Sequence, residues 1–69
     1  MKTVFVIQFH DERYPESELE KFAFTSLDGA FEEVEKYGFE YQYRYNEYYN
    51  FTHKSDNRES ATIIELEVI

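Results

Sequence analysis

The sequence predicts a small α+β fold, ββαββ, with a four-stranded, mainly antiparallel sheet and one helix packed on one of its faces. Three observations predict it. β-Branched and aromatic runs stand at both ends of the 69-residue chain, an apolar stripe at helical spacing extends from Leu27 to Tyr37, and strict alternation follows from Phe39 to Tyr45. A chain this short has room for one hydrophobic core, so residues 1–69 are expected to form a single domain.

Thr3 to His10 is almost unbroken by polar residues, the pattern of a strand covered on both faces or central in its sheet. Asp11 to Glu18 is polar and holds the only proline, Pro15, which suits a long hairpin loop. Leu19 to Thr25 then alternates, and a second strand there turns Phe22 and Phe24 inward. Thr25 or Ser26 is suited to cap a helix, and Thr25 with Asp28 has the spacing of a capping box in its acidic form. Leu27, Ala30, Phe31, Val34 and Tyr37 line one helical face, while Asp28, Glu32, Glu33 and Glu35 lie off it toward solvent. Gly38 is placed to end the helix.

Alternation from Phe39 to Tyr45 puts Phe39, Tyr41, Tyr43 and Tyr45 on one side of a third strand and Glu40, Gln42 and Arg44 on the other. Tyr48, Tyr49 and Phe51 continue out of phase, which suits a bulge, a bend or an irregular extension, and a short helix over Tyr45 to Thr52 is also compatible. His53 to Ser60 is a loop by composition. Ala61 to Ile69 closes the sheet, with Ile64, Leu66 and Val68 alternating against Glu65 and Glu67, and with Ile63 and Ile69 on the charged side.

The segment Lys21-Phe22-Ala23-Phe24-Thr25-Ser26-Leu27-Asp28-Gly29-Ala30-Phe31-Glu32-Glu33-Val34 resembles a strand-cap-helix phrase found in many small, mostly uncharacterised ββαββ proteins of bacteria and their phages. The opening apolar strand and the closing Ile63-Ile64-Glu65-Leu66-Glu67-Val68 fit the same outline. Gly29 and the tyrosine-rich third strand depart from it. The resemblance implies the fold and a phage or mobile-element origin, and it carries no catalytic residue with it.

The formal charge is −8, and it is not evenly spread. Between Asp11 and Lys36, the acids Asp11, Glu12, Glu16, Glu18, Glu20, Asp28, Glu32, Glu33 and Glu35 face only Arg13, Lys21 and Lys36. Such a balance repels nucleic-acid phosphates and anionic lipids and favours basic partners. Spread over one surface, these carboxylates would imitate a run of phosphates. With no cysteine there is no disulfide, thiolate metal site or thiol nucleophile. The apolar run Thr3 to Phe9 is too short for a secretory core or a membrane span, so the cytoplasm is the expected setting.

Candidate chemistry is sparse. His10, Asp11 and Glu12 bring an imidazole beside two carboxylates, and His53 with Asp56 could join from the other polar loop to hold a metal or small molecule. Adjacent strand residues point to opposite faces, so convergence would need a turn at His10. The tyrosines of residues 41–49 could stack on bases, but only Arg44 stands among them to meet phosphates. Gly29 and Gly38 are the only glycines, so no phosphate-cradling loop exists, and no serine has a nucleophile's surroundings. The expectation is therefore a non-enzymatic, acidic protein-binding module without a cofactor, its partner a host protein or a second copy. Asp28, Glu32, Glu33, Glu35, Tyr48 and Tyr49 are the expected contact residues. The metal or small-molecule site and a purely structural homodimer are the alternatives.

Overall fold

The computed structural model of the chain describes residues 2–14, 18–19 and 23–68. It contains β1 (Lys2–Asp11), β2 (Glu18–Leu19), α1 (Leu27–Lys36), β3 (Phe39–Tyr45), β4 (Tyr48–His53) and β5 (Glu59–Val68). All pairings are antiparallel, in the order β2-β1-β5-β4-β3. The expected α+β class holds, with the helix on one face of an open antiparallel sheet, and the sheet gains one strand, β4. The chain's two ends pair at its centre, where β1 and β5 run in register from Lys2↔Val68 to Asp11↔Glu59.

Of the expected strand Leu19 to Thr25, Leu19 pairs with Gln8, its neighbour Glu18 from the expected loop pairs with Phe9, and Phe24 makes one further bridge with two 2.8 Å backbone hydrogen bonds to Phe5. The inward placement expected of Phe22 lies outside the described residues. Phe24 is half-buried and packs against the core. Ser26, rather than Thr25, caps α1: its backbone is extended and its Oγ accepts the Gly29 N–H at 3.0 Å. Asp28 in the first turn and Lys36 in the last match the helix dipole. Gly38 ends the helix in the left-handed region, at φ 92°, where its N–H donates to the Glu35 carbonyl at 3.0 Å.

Tyr45 to Thr52, left open by the sequence, is a tight hairpin joining β3 to β4. Its turn is Asn46-Glu47, with Asn46 at φ 53°, a conformation that asparagine tolerates better than most residues. The pairing slips by one residue between Tyr41 and Tyr43, so Gln42 forms a β-bulge. Tyr41 stands opposite Phe51 on the helix side, whereas Tyr43 stands opposite Asn50 and Tyr45 opposite Tyr48 on the other side. The expectation that Phe39, Tyr41, Tyr43 and Tyr45 share one face is thus corrected, because one inserted residue inverts every side chain after it. The same bulge interrupts the outer strand and protects that edge.

The closing strand is also re-phased relative to the sequence reading. Ala61 and Ile63 are the buried pair, opposite Phe9 and Ile7 on one side and Phe51 and Tyr49 on the other. Ile64, Leu66 and Val68 occupy the opposite face, and Leu66 and Val68 remain 45% and 46% exposed. Both phases of β5 carry apolar residues, so only the register with β1 and β4 selects between them.

The core lies wholly between α1 and the sheet: Phe5, Ile7, Phe39, Tyr49, Phe51, Ala61 and Ile63 from the strands meet Ala30 and Val34 from the helix. Full burial of Ile7, Val34, Phe51 and Ile63 contributes about 1.5–3 kcal/mol each. Phe31 fixes the helix in place, with its ring 5.3 Å from Tyr41, 5.8 Å from Tyr49 and 5.0 Å from Phe51, two of them edge-on. Among the described residues no helix is long and apolar enough to cross a membrane.

Candidate functional site

The polar end of the molecule is built from two loops that the sequence did not show to be neighbours. Because Asp11 pairs with Glu59 at the end of the β1–β5 ladder, the loop after β1 meets the loop before β5. Each carries an Asp-x-Arg unit of the same design. Asp11 Oδ1 accepts both the backbone N–H and Nε–H of Arg13 at 2.9 Å, with Arg13 Nη2 on Oδ2 at 2.5 Å. Asp56 holds Arg58 through the same three donors at 3.0, 3.0 and 3.2 Å. Arg13 Nη2 also lies 3.6 Å from Asp56 Oδ2, and the Glu12 N–H donates to the Arg58 carbonyl at 2.9 Å. The Arg13 hydrogen bonds hold the Asp11 carboxyl down at about 2, and those of Arg58 lower that of Asp56. The Arg13–Asp56 pair and the backbone bond from Glu12 to Arg58 fasten the loops together, and both carboxylates stay ionised.

The expected His10–Asp11–Glu12–His53 constellation is not assembled. His10 sits on the sheet face away from α1, in register with Ser60, while Asp11 falls on the helix side. His53 lies on the helix side as well, two strands away from β1. Its ring stands edge-on to Phe39 at 5.0 Å and its Nδ1 accepts the Ser55 N–H at 3.1 Å. Its Nε2 lies where a Cβ on Gly38 would come within 2.9 Å. His53 is the cover over the helix stop. Among the described residues no three His, Asp or Glu side chains are grouped to hold a metal ion.

Of the expected contact residues, Asp28, Glu32 and Glu35 face solvent from α1. Glu33 is half-buried, where its carboxylate accepts the Tyr37 hydroxyl at 3.4 Å and pairs with Lys36 at 3.3 Å. Tyr48 is 39% exposed on the face opposite the helix. Tyr49, adjacent in sequence, points the other way and is a core residue, so its expected place in an exposed contact surface is corrected. Its hydroxyl lies 3.4 Å from Glu65 Oε1, Arg44 stacks over its ring at 4.9 Å, and burial raises its phenol pKa.

The sheet face opposite α1 is a feature that the sequence did not foretell. Register sets Val6, Ile64, Tyr48 and Tyr45 in one row across β1, β5, β4 and β3. Val4 and Leu66 flank that row on one side, with Val68 beyond them. On its other side Gln8, Thr62, Asn50 and Tyr43 form a polar row that ends in another tyrosine. Val4, Val6 and Ile64 are half-buried, whereas Tyr43 and Tyr45 are 60% and 66% exposed. Charge is confined to the margins, with Lys2 and Glu40 at opposite corners. An antiparallel sheet with one solvated face ordinarily makes that face polar, and this one is half apolar. The readable signal was the unbroken apolar run of β1, which anticipated a cover on both faces.

Comparison of the chain with protein-family models, with curated proteins and with solved structures finds no match.

Proposed function

We propose that the chain is a non-enzymatic protein-binding module whose contact surface is the sheet face opposite α1. The single observation that carries this reading is the uncharged patch of valine, isoleucine, leucine and tyrosine on a chain of net charge −8. Scattered apolar side chains are ordinary on protein surfaces, whereas the largest contiguous patch on a domain, typically a few hundred Å², is often the functional one. Tyrosine suits such a surface because its ring is apolar while its hydroxyl tolerates water. The acidic outer side of α1 acts as a solubilising counterpart. Nucleic acid is a poor occupant, since among the described residues no basic groups frame Tyr43, Tyr45 and Tyr48 on this face.

The test is retention of proteins by the immobilised chain, from a lysate that also contains a differently tagged copy of the same chain. Retention should vanish in Tyr45→Lys and Leu66→Glu and persist when Glu32, Glu33 and Glu35 are changed to Lys. The reading fails if nothing is retained, and it also fails if retention follows the helix charges and ignores the sheet face.

A further inference from the structure

We infer that the occupant of this face is a second copy of the chain, packed sheet against sheet, so that two five-stranded layers form a sandwich with one helix on each outer side. The inference rests on the binding reading above and names its partner. It stands on area, on charge and on strand pattern.

Tyr43, Tyr45, Tyr48, Leu66 and Val68 are each between 39% and 66% exposed. With about 200 Å² for a fully exposed tyrosine and somewhat less for leucine or valine, these five alone offer on the order of 450 Å² per copy. The half-buried Val4, Val6 and Ile64 and the polar row beside them take the pair toward roughly 1,000–1,200 Å² in total, the lower range for a specific interface. That size belongs with small, reversible interfaces rather than obligate ones.

Charge permits a like partner on this face. Each copy carries −8, and pairing through α1 would set exposed Asp28, Glu32 and Glu35 of one copy against the same carboxylates of the other. Among the described residues the open face carries Lys2 and Glu40 at opposite corners and no other Lys, Arg, Asp or Glu. Sheets pack about 10 Å apart, and a helix lies about another 10 Å outside each, so the acidic helices end roughly 30 Å apart. That is more than three screening lengths at physiological salt, about 8 Å each. A two-fold interface of this kind is isologous: the patch meets itself, and no second complementary surface is needed.

The strand pattern agrees. In β1 both Phe5 and Ile7 on the helix side and Val4 and Val6 on the other are apolar, the signature of a strand covered twice, and β5 repeats it with Ile63 against Ile64 and Leu66. Within one chain α1 covers only one of these faces. Small domains commonly complete a core by self-association.

Sedimentation equilibrium of the full chain from about 1 to 500 µM tests this. The expected result is a concentration-dependent rise from 8.4 kDa toward twice that mass. Raising NaCl from about 0.05 to 0.5 M should strengthen or preserve the dimer, whereas docking through acid–base side-chain pairs would weaken. Leu66→Glu and Tyr45→Lys, each present twice in a two-fold dimer, should each weaken association about 100-fold or more, with circular dichroism unchanged. Glu32→Gln, on the solvent side of α1, should leave it intact. A folded chain that stays at monomer mass throughout overturns the inference, as does a dimer indifferent to Leu66 and Tyr45. A monomer that still captures a lysate protein through Tyr45 and Leu66 overturns self-pairing alone, while a monomer that captures nothing overturns the binding reading too.

Discussion

Gly38→Ala separates backbone strain from side-chain displacement at the junction of helix and sheet. Gly38 stands at φ 92°, and a Cβ there would meet His53 Nε2 at 2.9 Å and Cε1 at 3.4 Å. Holding an L-residue in a left-handed conformation costs about 1–2 kcal/mol. The ring of His53 must also move, which weakens its edge-on packing with Phe39, worth about 0.5–1.5 kcal/mol, and its hydrogen bond from Ser55, worth about 0.5–1.5 kcal/mol. Because a small shift of the ring weakens both interactions without abolishing either, the expected total for Gly38→Ala is about 2–3 kcal/mol. In a His53→Ala background the obstruction is gone and only the strain should remain, about 1–2 kcal/mol. Urea denaturation of the four chains of this cycle, followed by circular dichroism, gives a coupling of about 1 kcal/mol. Equal costs of Gly38→Ala in both backgrounds would refute the assignment of His53 as the cover over the helix stop.

Three further outcomes are expected. Ile63→Ala should cost about 2–5 kcal/mol by denaturation and Ile64→Ala in dilute solution less than about 1.5 kcal/mol, and reversed costs would invalidate the face assignment of β5. The Asp11 carboxyl is held at about 2, below its ordinary 3.8, so its contribution is complete above about pH 4 and is lost as pH falls through about 2. Asp11→Asn should therefore shallow the loss of stability across that window, and an unchanged acid limb would show that Arg13 does not bind the carboxylate in the folded chain. Burial holds the Tyr49 phenol above the ordinary tyrosine value, so tyrosinate absorbance should show a late component that Tyr49→Phe removes. If the late component survives that change, Tyr49 is not the buried phenol.

The helix was legible because its signals are local. Ser26 and Gly38 bound a stripe of apolar residues whose spacing admits only one facing, and Ala30 and Val34 are buried as that stripe requires. The first and last strands, β1 and β5, were legible from composition. The hairpin of β3 and β4 was not, because its turn is Asn46-Glu47 and carries neither glycine nor proline. Asn46 alone, between Tyr45 and Tyr48, was the available clue. The pair of Asp-x-Arg units was visible as charge, but its joining of two loops depends on the Asp11↔Glu59 pairing. His53 read as a ligand candidate because an isolated histidine carries no sign of the glycine it covers.

The sequence by itself determined the class of fold, the position and facing of α1, and the concentration of acidic residues in the first half of the chain. Those depend on periodicity and composition, which neighbouring residues express without help. Tertiary structure alone decided which phase of β5 is buried, and it decided that Tyr43 and Tyr45 lie on the opposite face from Tyr41. The physical reason is that a strand with apolar residues in both phases has two nearly equivalent registers. The choice is made by pairing with Ile7, Phe9, Tyr49 and Phe51 and by one bulge at Gln42, neither of which is encoded locally. The uncovered face, and with it the proposed function, is a product of that choice.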